Sequence, residues 1–164
     1  VPRALREFPA FRSTIVGDDT YRTYHECNLS IAVSLPGDEL VIAVVDDSTK
    51  LGWTEFAGTM RAKIDLARGG QDQANESVTI SLTNMQSFGL RDAVPVVVPP
   101  SVATLFLGET YLAIDQNSTD VKLVKVANIA LTFDHRVING VGASQFAARV
   151  KELVESIDSI LEPS

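Results

Sequence analysis

The sequence has a single cysteine, Cys27, in 164 residues, so no disulfide can close within the chain and no cysteine-based metal site can be built from it alone. A reducing, cytoplasmic setting fits that usage. Histidine is scarce too: any imidazole chemistry falls to His25 or His135. No uninterrupted apolar run approaches the roughly 18 to 20 residues of a membrane helix, and Arg3, Arg6 and Glu7 interrupt the first residues where a signal peptide would have its apolar core. No membrane association is expected. Positive charge is in deficit, with 14 Lys and Arg against 21 Asp and Glu. A net charge of -7 has the wrong sign for neutralising phosphate backbones, so nucleic acid is not an expected partner. The rest of the composition, 45% apolar and 21% charged, is that of an ordinary globular domain, and the length predicts one domain.

Hydrophobic period places the elements. Leu29, Ile31 and Val33 alternate over residues 28 to 34, the pattern of a half-buried strand, and Pro36-Gly37 turns the chain. Residues 40 to 45 are apolar throughout, which predicts a central strand covered on both faces. From Trp53 the period becomes helical, with Trp53, Phe56, Ala57, Met60, Ile64 and Ala67 along one stripe and Gly69-Gly70 ending it. A polar loop over 71 to 76 leads to a strand near 78 to 82, on which Thr79, Ser81 and Thr83 share a face. Residues 84 to 101, broken by Gly89, Pro95, Pro99 and Pro100, read as an irregular crossing. Strands follow at about 103 to 113 and 126 to 134, the latter turning Ile129, Leu131 and Phe133 to one side. A helix from about 141 to 161 closes the chain, with Phe146, Val150, Leu153, Ile157 and Ile160 as its stripe. The fold class is α/β, a two-layer mixed or antiparallel sheet covered by helices.

His135 stands just past the last strand and before the turn dipeptide Asn139-Gly140, a junction where side chains project from a rigid element. A lone histidine there is most often structural. His25 and Cys27 would point the same way from a strand, but two ligands without a third make no metal site. The pairs Asp18-Asp19 and Asp46-Asp47 read as solvated loop ends.

The stretch from Leu131 through Asp134-His135-Arg136 to Asn139-Gly140 resembles the His-x-x-x-Asp-Gly signature of the dihydrolipoamide acyltransferase catalytic domain, the core of 2-oxoacid dehydrogenase complexes. Chloramphenicol acetyltransferase shares that fold. Further segments resemble the family in the same order: Ala4-Leu5-Arg6-Glu7-Phe8-Pro9, the strand pair within 28 to 45, the helix ending at Ala67-Arg68-Gly69, and Pro99-Pro100. Ungapped alignment through Phe88-Gly89 sets Ser81-Leu82-Thr83-Asn84 over the family's Thr-Ile-Ser-Asn.

The resemblance covers the whole chain, 1 to 164, as one catalytic domain. It implies a homotrimer with active sites between subunits and coenzyme A as acyl carrier. The family's front strand and helices and its lipoyl domain have no counterpart here, which leaves a fragment, a partner chain supplying the front, or a reduced stand-alone member. In the family the histidine is general base and a serine hydroxyl donates to the oxyanion. Carried over, His135 takes the first role and Thr83 the second, its χ1 more restricted than a serine's. Asn139 takes a position usually held by aspartate, where the family carboxylate supports local architecture through an arginine. Arg136 is expected to anchor the turn or a neighbouring subunit, and Asp134 to orient the turn. The implied reaction moves an acetyl or other short acyl group between coenzyme A, or a lipoyl thioester, and a thiol or a small-molecule hydroxyl, as in secondary metabolism. The alternative is a non-catalytic trimeric scaffold, with Thr83 and Asn139 as marks of lost chemistry.

Overall fold

The computed structural model describes residues 1–17, 20–37, 39–116 and 118–158. A short helix α1 (Pro2–Glu7) and a 3-10 turn lead into a two-stranded ribbon, β1 (Ser13–Val16) and β2 (Thr20–Thr23). The main sheet takes β3 (Leu29–Ser34), β4 (Leu40–Val45), β5 (Ile80–Asn84), β6 (Ala103–Ile114) and β7 (Leu123–Phe133). Its order is β4-β3-β5-β6-β7, parallel across β3/β5 and β5/β6 and antiparallel at both flanks. Helix α2 (Trp53–Arg68) connects β4 to β5, and α3 (Gly140–Glu155) follows β7. No helix among the described residues is long and apolar enough to cross a membrane.

The strand alternation decides which face is covered. Leu29, Ile80, Leu105, Ile129, Leu131 and Phe133 point to α1 and α3, where Leu5, Phe146 and Val150 are buried. On the same face Ile31, Val33, Ala43 and Val45 meet Phe56, Met60 and Ile64 of α2. All three helices therefore form one layer on one side of the sheet. The Ala4-to-Phe11 segment is bound into that layer by aromatics: Phe11 stacks on Phe146 at 3.9 Å and Phe8 meets it edge-on at 5.6 Å. Arg149 of α3 grips Glu7 through both guanidinium and carboxylate forks.

Four expectations need correction. The apolar run 40 to 45 is an edge strand. Its outer amides are met by the loop that follows α2, since Asp72 Oδ1 accepts from the Ile42 N–H at 3.0 Å and Gln73 Oε1 from the Val44 N–H at 3.2 Å. Those two side chains cap the edge against pairing with another chain. Trp53 and Ala57 of the predicted α2 stripe are exposed, because α2 rests on the sheet by a narrower face. His25 lies in a bend, exposed, while Cys27 is buried, so the two do not share a strand face. Asp47 is no simple solvated loop end: half-buried at φ 43, it pairs with Lys50 and its N–H donates to Asn28 Oδ1. The Asp18-Asp19 pair and positions 159 to 161 of the last predicted helix lie outside the described residues.

Candidate active site

His135 occupies the turn between β7 and α3. Its backbone course is fixed from both sides. The Asp134 N–H donates to Val102 O at 2.7 Å, continuing the sheet one residue past β7, and the amides of Val137 and Ile138 return to Asp134 O at 3.0 Å. Ile138 is buried and pins the far side of the turn. The imidazole is exposed and lies beside Phe133, ring centroids 5.6 Å apart.

The neighbouring charges pair with each other and leave the imidazole out. Arg136 donates to Asp134 from its N–H, Nε and Nη2 at 2.6 to 3.2 Å. These bonds hold the Asp134 carboxyl below its ordinary range. Asp134 and Arg136 thus orient the turn as expected. Asn139 is the N-cap of α3: its Oδ1 accepts from the Gly142 N–H at 2.7 Å while its carbonyl accepts from Ala143. Sequence reasoning missed Tyr21, whose hydroxyl donates to Arg136 O at 3.0 Å from the β1/β2 ribbon.

Thr83 lies near the end of β5, opposite Phe106, on the face turned away from the helices. It is half-buried, and among the described residues its hydroxyl has no hydrogen-bond partner. Two residues earlier on this face, Ser81 Oγ is engaged, 2.7 Å from Ser30 Oγ and 3.0 Å from Ser101 Oγ. The hydroxyl row that the sequence places on one side therefore divides into a bonded inner part and a free outer end.

The register separates Thr83 from His135 within one chain. Thr83 is level with Phe106 and, across β7, with Ala130, whereas Phe133 is level with Ile80. Three residues of rise and two strand spacings amount to about 10 Å along the sheet and about 10 Å across it, before the chain runs on past Phe133 to His135. A single chain does not bring the two side chains to one reacting atom.

A family model described as 2-oxoacid dehydrogenases acyltransferase (catalytic domain) matches residues 1–162. The succinyltransferase component of the 2-oxoglutarate dehydrogenase complex of Rickettsia bellii is 30% identical over 161 residues, 96% of this chain and 40% of that protein. The acetyltransferase component of the pyruvate dehydrogenase complex of Acholeplasma laidlawii is 31% identical over 159 residues, 92% of this chain and 28% of that one. The chain thus spans two fifths or less of these relatives. Among solved structures, dihydrolipoamide acetyltransferase of Azotobacter vinelandii superposes with a TM-score of 0.86 at 22% identity, covering 96% of this chain and 66% of that chain. A chloramphenicol acetyltransferase gives 0.51 at 15% identity, over 92% and 72%. These two establish the fold.

Proposed function

The chain belongs to the 2-oxoacid dehydrogenase acyltransferase catalytic-domain family, and on that premise we propose that it transfers an acetyl or other short acyl group between a coenzyme A or lipoyl thioester and a thiol or small-molecule hydroxyl. Spacing carries the reading. In the Azotobacter vinelandii enzyme the residues studied for a role in the catalytic mechanism are a serine, a histidine 52 residues later and an asparagine four beyond that. Thr83, His135 and Asn139 have the same two spacings. Asparagine at the third position is thus shared with that relative, which speaks against decay.

The roles follow from chemistry. His135, exposed and among the described residues without a carboxylate partner, accepts the proton of the attacking thiol or hydroxyl and returns it to the departing group, an effect worth about 10² to 10⁴ in rate. Thr83, its hydroxyl unengaged, donates to the oxygen on which negative charge develops. The separation of the two along the sheet of one chain supports a site in which His135 meets Thr83 of a second copy. The family resemblance makes that assembly a homotrimer with sites between neighbours. Coenzyme A and lipoyl thioesters are substrates here. The buried lone Cys27 supports a cytoplasmic setting, and a hydroxyl acceptor would place the reaction in secondary metabolism.

The test is mass-spectrometric detection of acyl-dihydrolipoamide, or acylated hydroxyl acceptors, formed from acetyl- and succinyl-coenzyme A. Turnover by the parent and its loss in His135→Ala are expected. A folded trimer that neither transfers an acyl group nor is stabilised by coenzyme A is the scaffold instead.

A further inference from the structure

The residue after His135 is held at three points. The Arg136 N–H donates to Asp134 Oδ1 at 3.0 Å, which fixes the peptide plane joining His135 to Arg136. The guanidinium grips the same carboxylate. The Arg136 carbonyl accepts from Tyr21 Oη at 3.0 Å, which fixes the next plane, towards Val137. Among the described residues the His135 imidazole makes no hydrogen bond, so its direction is set through its backbone.

Tyr21 comes to this turn from 115 residues earlier in the chain. Every residue of β2 is exposed, so the ring contributes little to the core and its position calls for another reason. The ribbon that carries it is well anchored. Ser13 Oγ and Thr23 Oγ1 are 2.7 Å apart across the two strands. Arg12 donates to Leu5 O at 2.9 Å and to Tyr24 O at 2.6 Å, fastening the start and the end of the ribbon to each other and to α1. Thr14 donates to Pro100 O, near the start of β6. A fixed ribbon can therefore hold a turn that belongs to the opposite end of the sequence.

We propose that Tyr21 is a positioning residue: through the Arg136 carbonyl it holds the turn so that the His135 imidazole faces the acceptor bound at the neighbouring copy. This rests on the acyl-transfer reading above. Tyr21 touches no reacting atom; it restricts the backbone next to the general base, and the entropy of orienting that base is lost on folding instead of in each turnover.

Tyr21→Phe keeps the ring and removes the hydroxyl. The expected result is a kcat about 3- to 10-fold lower, the effect of one hydrogen bond of ordinary net strength. KM for both substrates should stay within about twofold, and the pH–rate profile should keep its shape with a lower plateau. Combined with Asp134→Asn, the two losses should be less than multiplicative, because both variants release a peptide plane of Arg136. A parental kcat in Tyr21→Phe overturns the proposal, and so does a fall in kcat matched by loss of the trimer, which a merely structural hydroxyl would give. Failure of the acyl-transfer reading appears separately, as a parent with no activity. Nuclear magnetic resonance then decides the positioning on its own: the His135 ring signal, identified by its disappearance in His135→Ala, should shift or broaden in Tyr21→Phe, and an unchanged signal refutes the proposal.

Discussion

Asn139 separates holding a helix from moving a proton. It is exposed, and its Oδ1 caps α3 through the Gly142 N–H. An aspartate at this position would keep the cap and add a charge that a helix N-terminus favours, so Asn139→Asp should unfold at the parental temperature or slightly above. Its pH–rate profile should show no new ionisation; one that did would place this residue in the chemistry. His135 and Thr83 differ because among the described residues their side chains have no hydrogen-bond partner. His135→Ala should lower acyl transfer by about 10² to 10⁴ with the trimer intact. Thr83→Ala should cost about 10² to 10³, and Thr83→Ser should retain most activity, since only the donor is required. Single-turnover rates measured beside the melting temperature separate these effects from misfolding. At this scale the sequence was legible where a residue type has few uses, as with one of two histidines at a strand end. Tyr21 was not, because nothing local marks a tyrosine whose partner is a carbonyl far along the chain.

Elements were legible where burial has a period. The alternation of Leu29, Ile31 and Val33 and the α3 stripe Phe146, Val150 and Leu153 both face the interlayer core. The β1/β2 ribbon, α1 and the edge position of β4 escaped. β2 is exposed throughout and so carries no burial pattern, α1 has only six residues, and strand order depends on partners that no local window contains. A close approach of backbone is equally silent. At Gly108, where the β6/β7 register shifts, a Cβ would collide with the Arg91 carbonyl, because the crossing segment lies against β6 and Leu90 O accepts from the Glu109 N–H at 2.8 Å. Gly58, inside α2, has nothing within 4 Å of a Cβ. The two glycines therefore predict opposite signs for one change. Gly108→Ala should destabilise by about 1 to 3 kcal/mol as backbone is forced apart. Gly58→Ala should stabilise by about 0.5 to 1 kcal/mol as helix propensity improves. Denaturant melts of both variants check the pair, and a neutral Gly108→Ala would mean that the crossing segment does not lie against β6.

At the scale of the whole molecule the sheet register makes a quantitative prediction about assembly. Ala130 stands level with Thr83, and the chain passes Phe133 before reaching His135, so the two groups can serve one reacting atom only if different copies supply them. Exposed apolar side chains lie on the crossing segment beyond Thr83: Phe88, Leu90, Val94, Val96 and Val98. Exposed apolar side chains at this density suit coverage by another chain. Mixing tests the arrangement without a structure of the assembly. His135→Ala and Thr83→Ala chains, each nearly inactive alone, are unfolded together in equal amounts and refolded as mixed trimers. A site between copies is intact when its histidine comes from a Thr83→Ala chain and its hydroxyl from a His135→Ala chain. Random assembly gives that combination at about one site in four, so about a quarter of the parental activity should return. A site contained in one chain would recover nothing, because every chain in the mixture carries one defect. Chains refolded separately and then combined should also recover nothing until subunits exchange, and the rate of recovery then reports how fast the trimers dissociate.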